Sequence, residues 1–126
     1  MSVHVAIAVI INNKNQVLIT KRSADKHQGD KWEFPGGKVE STETSQEALY
    51  RELKEEIGIT VESATFLLDI VHQYKTKEVL LDVYEVRHWI GEAQGLEGQP
   101  MRWVDRSELS VYKFPSANAK IISKLS

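Results

Sequence analysis

The chain has 126 residues, with 16 Lys and Arg against 18 Asp and Glu, a formal charge of −2, 41% hydrophobic residues and no cysteine. That length suits a single domain over residues 1–126 with a core of its own. The near-balanced charge speaks against a bulk grip on a nucleic-acid polymer or an anionic membrane, and the lack of cysteine excludes disulfides, thiolate metal sites and a cysteine nucleophile. The longest apolar run, residues 5–11, is far shorter than the ~20 residues of a membrane helix. Met1-Ser2-Val3-His4-Val5 carries neither the basic start nor the cleavage site of a signal peptide, so a cytoplasmic protein is expected. No repeat or low-complexity tract suggests a linker.

Residues 3–11 are rich in Val and Ile and read as a buried strand. Asn12-Asn13-Lys14-Asn15 is a turn signal, since Asn tolerates left-handed backbone angles, and residues 16–20 then complete a predicted hairpin. Residues 21–31 are polar and read as a loop. Trp32-Glu33-Phe34 reads as a short strand that stops at Pro35-Gly36-Gly37. Residues 44–57 carry the clearest helix: Thr44 and Glu47 form a capping box, Leu49, Leu53 and Ile57 make an apolar stripe, and Gly58 stands where a C-terminal cap belongs. Residues 64–72, 78–89 and 101–104 read as strands, with a Gly-rich loop over 91–100. Residues 116–125 read as a terminal helix, with Ser116 as cap and Ala119, Ile122 and Leu125 at helical spacing. Strands, one long helix, more strands and a last helix predict an α/β (α+β) fold, with a mixed β-sheet and helices packed on it.

The long helix has an unusual face. At ~100° per residue, Glu52, Glu55 and Glu56 project within roughly 100° of one another. Like charges at such spacing destabilise a helix by ~0.2–0.5 kcal/mol per pair, and the C-terminal half of the dipole disfavours anions. Local stability does not select this pattern. Two readings follow: a solvated acidic face, partly compensated by Arg51 and Lys54, or a face of hard oxygen ligands for Mg²⁺ or Mn²⁺. Gly36 and Gly37 precede it, where exposed backbone carbonyls could join such a site. Lys38 could reach a phosphate, although the Walker A spacing is absent.

These residues resemble the Nudix hydrolase signature, G-x5-E-x7-R-E-U-x-E-E-x-G-U with U aliphatic. Gly37, Glu43, Arg51, Glu52, Leu53, Glu55, Glu56, Gly58 and Ile59 fill every fixed position. The flanking stretches 22–27, 32–38, 97–100 with Trp103, and 114–118 resemble the MutT-like 8-oxo-dGTP diphosphatases of that family, so the likeness runs along nearly the whole chain. The resemblance implies a Nudix fold, with the mixed sheet sandwiched between helices. It implies a Mg²⁺-dependent hydrolase (Mn²⁺ substituting) that converts 8-oxo-dGTP to 8-oxo-dGMP and pyrophosphate by attack of water on the β-phosphorus, as a monomer acting on a small nucleotide.

The metal set so implied is the Gly36 carbonyl with Glu52, Glu55, Glu56 and Glu97. The catalytic carboxylates are Glu52, Glu55 and Glu97, among which the general base stays open. The substrate-binding set is Arg22, His27, Glu33, Phe34, Pro35, Gly36, Lys38, Lys77 and Asn118, with Phe34 and Asn118 facing the purine. Arg51 would orient the acids through ion pairs, and Glu43 would hold the loop to the helix. Asn presents one donor group and one acceptor, which suits a purine edge; without the resemblance, Asn118 reads first as a turn or cap residue. The chain departs from the family at Thr42, where Gly is common, and at Lys77, where an arginine with a bidentate fork stands in MutT-like proteins. His4, His72 and His88 carry no expected role. Trp32, Trp89 and Trp103 read as packing residues, with Trp32 near the rim. A broader pyrophosphatase acting on CTP or other nucleotides, and a non-catalytic nucleotide-binding module, are the competing readings; the intact set of box carboxylates weighs against the second.

The net charge also hides opposed local fields. Residues 38–58 carry six Glu against three bases, and residues 21–31 carry four bases against two Asp. The first suits a divalent cation and the second an anionic nucleotide.

Overall fold

The computed structural model describes residues 2–22 and 30–125. Along the chain run β1 (Ser2–Ile10), β2 (Gln16–Lys21), β3 (Trp32–Glu33), β4 (Gly36–Lys38), α1 (Ser45–Ile57), β5 (Thr60–Gln73), β6 (Glu78–Ile90), β7 (Met101–Asp105) and α2 (Ala119–Leu125), with 3-10 turns at Arg106–Val111 and Ser116–Asn118. One sheet has the order β4-β1-β6-β5 and a smaller one the order β3-β2-β7. The β1–β6 pair is parallel and the other pairs are antiparallel, so the larger sheet is mixed.

Alternation along β1 decides how the layers stack, because successive side chains of a strand leave opposite faces. Ala6, Ala8 and Ile10 pack with Ala48, Leu49, Leu53 and Ile57 of α1, whereas Ile7, Val9 and Ile11 pack with Ile121 and Leu125 of α2. The larger sheet is therefore sandwiched between the two helices. The small Ala6 and Ala8 leave room for α1, whose Leu49, Leu53 and Ile57 are fully buried.

The ends of α1 follow the local signals. Thr44 accepts from the Glu47 N–H at 3.1 Å and the Glu47 carboxylate accepts from the Thr44 N–H at 2.8 Å. Gly58 closes the helix in the left-handed region at φ 73°.

Several expectations change. Residues 12–15 do form a turn, with the Asn12 carboxamide oxygen accepting from the Lys14 and Gln16 N–H groups. However, β1 and β2 belong to different sheets and share one isolated bridge, Ile11 with Val17. The expected hairpin splays because β1 spends its ladder on β4 and β6. Gly36–Lys38 is a strand instead of a break: pairing of Gly36 with Ile7 and Gly37 with Ala6 overrides the low strand propensity of glycine. β5 begins at Thr60, four residues before the expected start. The terminal α-helix starts at Ala119, because the Asn118 N–H bonds to the Pro115 carbonyl and winds Ser116–Asn118 into a 3-10 turn. Pro115 rather than Ser116 stands at the cap position, the Ser116 hydroxyl lying 3.4 Å from His72 Nε2, and Ile121 is buried where Ala119 is exposed.

Candidate active site

Arg51 organises the acidic face of α1. Its guanidinium donates twice to Glu43, from Nε at 2.7 Å and Nη2 at 2.9 Å, and from Nη1 to Glu52 at 2.9 Å. Nη2 also reaches the Lys38 carbonyl at 3.1 Å, and Nη1 lies 3.5 Å from Glu55. One side chain thus ties the segment after β4 to the helix and aims two of its carboxylates. Hydrogen bonding to Arg51 and to the Glu40 N–H holds the Glu43 carboxyl down at about 2.

Glu56 differs from its neighbours. It is buried to 9% exposure, and its carboxylate accepts from the Gly36 N–H at 3.3 Å. Burial first, then repulsion from Glu33, Glu52 and Glu97, pushes its pKa up to about 8. Burial also raises Glu52, aided by Glu55 and Glu97 and opposed by Arg51. These carboxylates feel one another's charge, and the arginine beside them neutralises only part of it.

The glycines before the helix make this approach possible. A Cβ on Gly36, which sits at φ 152°, would collide with the Ala6 carbonyl, and one on Gly37 would fall within the Glu52 carboxylate. Glu97 arrives from the β6–β7 loop, whose backbone is tied to the end of α1 by Gln94 N–H to Ile57 O at 2.9 Å and Leu96 N–H to Glu56 O at 3.0 Å.

These groups line one cleft of about 770 Å³. Of the expected site residues, Arg22, Glu33, Phe34, Gly36, Lys38, Glu52, Glu55, Glu56, Lys77, Glu97 and Asn118 all meet there. Pro35 does not line it; the residue is buried and its carbonyl accepts from Ala8 N–H at 2.8 Å. His27 lies outside the described residues. Arg22 is held by Glu33 at 2.6 Å. Phe34, 2% exposed, stacks on Phe114 with centroids 5.1 Å apart. Asn118 is 7% exposed, and its side-chain amide makes no hydrogen bond to another described residue.

The apolar lining was not legible residue by residue. Val3, Val5 and Ile7 enter the cleft with Val79 and Leu81 because the parallel register sets Val3 beside Val79 and Val5 beside Leu81. The period-2 alternation along β1 marks the face but not the partner. Lys21, Glu40, Tyr74 and Gln99 also line the cleft without having been singled out. For Gln99 the signal was its place in the Glu97-Gly98-Gln99-Pro100 stretch. Of the residues without an expected role, His4 pairs with Asp82 at 2.7 Å, and Trp89 stacks on Trp103.

Does this donor set fit a divalent cation? Among the described residues, no three acidic or histidine side chains already stand as a closed cage. Glu52 and Glu55 lean toward Arg51, and Glu56 leans toward Gly36. The chemistry nevertheless fits: hard carboxylate oxygens, mutually repelling, one of them raised in pKa by burial and then by the neighbouring acids. A cation would relieve that repulsion.

Known proteins bear on the same residues. A NUDIX domain family model matches residues 6–124. The chain is 40% identical over 121 residues to the 8-oxo-dGTP diphosphatase of Escherichia coli K12, covering 96% of this chain and 94% of that protein. It is 30% identical over 116 residues to the CTP pyrophosphohydrolase of the same organism, covering 92% and 86%. A solved structure from work on MutT of Aliivibrio salmonicida and Vibrio cholerae superimposes with a TM-score of 0.87 at 36% identity, covering 99% of this chain and 97% of that one. With the family model matching residues 6–124 and the likeness running through nearly its full length, the chain belongs to the Nudix hydrolase family.

Proposed function

We propose that the protein is a Mg²⁺-dependent pyrophosphohydrolase that converts 8-oxo-dGTP to 8-oxo-dGMP and pyrophosphate, removing an oxidised nucleotide before it enters DNA. The observation that carries the reading is the meeting, in one cleft, of the α1 carboxylates with Asn118, a largely buried residue whose side-chain amide has no hydrogen-bond partner among the described residues. The first is machinery for a phosphoanhydride and the second a reader of a base edge. The 40% identity to an 8-oxo-dGTP diphosphatase supports the same substrate. The protein is read as a cytoplasmic monomer.

The Gly36 carbonyl with Glu52, Glu55, Glu56 and Glu97 would hold the cation. When bound, a divalent cation lowers the pKa of coordinated water and stabilises charge on the departing oxygen. Arg51 keeps Glu52 aimed into the cleft. One of Glu52, Glu55 and Glu97 takes a proton as water oxygen bonds to the β-phosphorus; the bond from that phosphorus to the α–β bridging oxygen breaks, and the nucleoside monophosphate leaves with that oxygen. Lys38, Lys77 and Arg22 offer positive charge to the phosphates. Phe34 and the strand residues exclude water from the base. Buried hydrogen bonds at Asn118 then penalise bases that leave them unpaired, by as much as ~10⁴–10⁵-fold in the best cases.

The deciding experiment is a panel of 8-oxo-dGTP, dGTP and CTP at low concentration with Mg²⁺. The expected result is a kcat/KM for 8-oxo-dGTP that exceeds both others by orders of magnitude. Equal or better turnover of CTP would replace this reading with the broader pyrophosphatase. Absence of Mg²⁺-dependent hydrolysis with all three would leave only a binding module.

A further inference from the structure

The carboxylate of Glu97 is useful to the site only if its loop is held in place, and most of the loop's anchors are backbone bonds that any sequence could make. One is not. The Gln99 carboxamide is engaged at both ends: Oε1 accepts from the Glu97 N–H at 2.9 Å, and Nε2 donates to the Glu56 carbonyl at 3.2 Å. The turn between these groups is tight, with the Gly98 N–H bonded to the Gly95 carbonyl at 3.0 Å and Glu97 at its tip. Leu96 N–H reaches the same Glu56 carbonyl. That carbonyl is one of the last of α1, which the helix cannot satisfy internally.

We infer that Gln99 is a positioning residue, a two-ended amide clamp that fixes the Glu97 turn to the backbone of Glu56 and so holds Glu97 at the acidic face of α1. The chemistry admits few substitutes. The clamp needs one donor and one acceptor in a single side chain of this length. Asn has both but is one methylene shorter. Glu keeps the acceptor but turns an anion toward a carbonyl oxygen. Met fills the volume and makes neither bond. Glu56 is then addressed twice: its side chain lines the cleft, and its carbonyl holds the turn that brings in a second carboxylate. The inference rests on the reading of Glu97 as part of the acidic site.

The test is a double-mutant cycle of Gln99→Met with Glu97→Gln. It is read by kcat and KM for 8-oxo-dGTP hydrolysis, by Mn²⁺ affinity of the nucleotide-free protein from electron paramagnetic resonance, and by Tm. The expected result is a fall of about 10-fold or more in kcat or Mn²⁺ affinity for Gln99→Met, with KM little changed. The double variant should be no worse than Glu97→Gln alone. Gln99→Glu should lose as much as Gln99→Met, and it carries the same cycle if the methionine variant does not fold. Additive losses in the double variant, or wild-type behaviour of Gln99→Met beside an impaired Glu97→Gln, would overturn the clamp and leave Glu97 in the site. Wild-type kcat and Mn²⁺ affinity in Glu97→Gln would overturn both.

Discussion

The buried carboxylate of Glu56 accepts a hydrogen bond from the backbone N–H of Gly36 at 3.3 Å, joining residues 20 positions apart across the floor of the cleft. That bond favours the ionised form, yet burial and the charges of Glu33, Glu52 and Glu97 win, and the pKa stands at about 8 against an ordinary 4.5. A carboxyl raised on folding binds more protons in the folded state, so stability falls as pH rises between those two values. Metal-free protein should therefore lose Tm from about pH 5 to about pH 8. Glu56→Gln should flatten that slope, and saturating Mg²⁺ should remove it in the wild type. Thermal melts in EDTA and in Mg²⁺ across the window check both; an unchanged slope in Glu56→Gln would refute the assignment.

Gly36 and Gly37 should respond differently to the same substitution. A Cβ at Gly36 meets fixed backbone, the Ala6 carbonyl and Ile7 Cα, whereas one at Gly37 meets the end of the Glu52 side chain. Gly36→Ala should lower Tm sharply, because sheet pairing with β1 must shift. Gly37→Ala should leave Tm closer to wild type and cut kcat, because the Glu52 carboxylate must move. Melting curves and steady-state kinetics on the two variants separate these outcomes.

Glu52→Gln should keep the fold and reduce kcat by about 10² or more, the usual scale for a lost acid–base or ligand group. Arg51→Lys should be intermediate. A lysine keeps one charge but cannot serve Glu43, Glu52 and the Lys38 carbonyl together, as the guanidinium does. It should lower both Tm and kcat. Near-normal turnover in Glu52→Gln would exclude that residue from the chemistry.

Asn118→Ala should abolish the preference for 8-oxo-dGTP over dGTP while sparing metal-dependent hydrolysis. The largely buried Asn118 lines the cleft, its side chain without a hydrogen-bond partner among the described residues, and the metal-binding acids come from other elements. Competition assays with both nucleotides check this; retained selectivity would move base reading elsewhere.

Much of the acidic machinery was legible along the chain because its contacts are local or spaced by helical geometry. The Thr44–Glu47 box, the Gly58 cap and the shared face of Glu52, Glu55 and Glu56 each draw on residues close together along the chain. The balance of −2 hid this, since acidic residues in 38–58 and basic residues in 21–31 offset one another in the sum. What the chain order left open was set by pairings between distant residues. Gly36–Lys38 is a strand because β1 lies beside it. Val5 lines the cleft because β6 runs parallel to β1. Asn118 lines the cleft because Pro115 and Ser116–Asn118 wind a 3-10 turn before α2. The difference in protonation between Glu56 and Glu43, both box residues, is likewise tertiary. One is buried among other acids, while the other faces Arg51 near the surface. A signature names the residue types, but desolvation and charge contacts across the fold set what each carboxyl does.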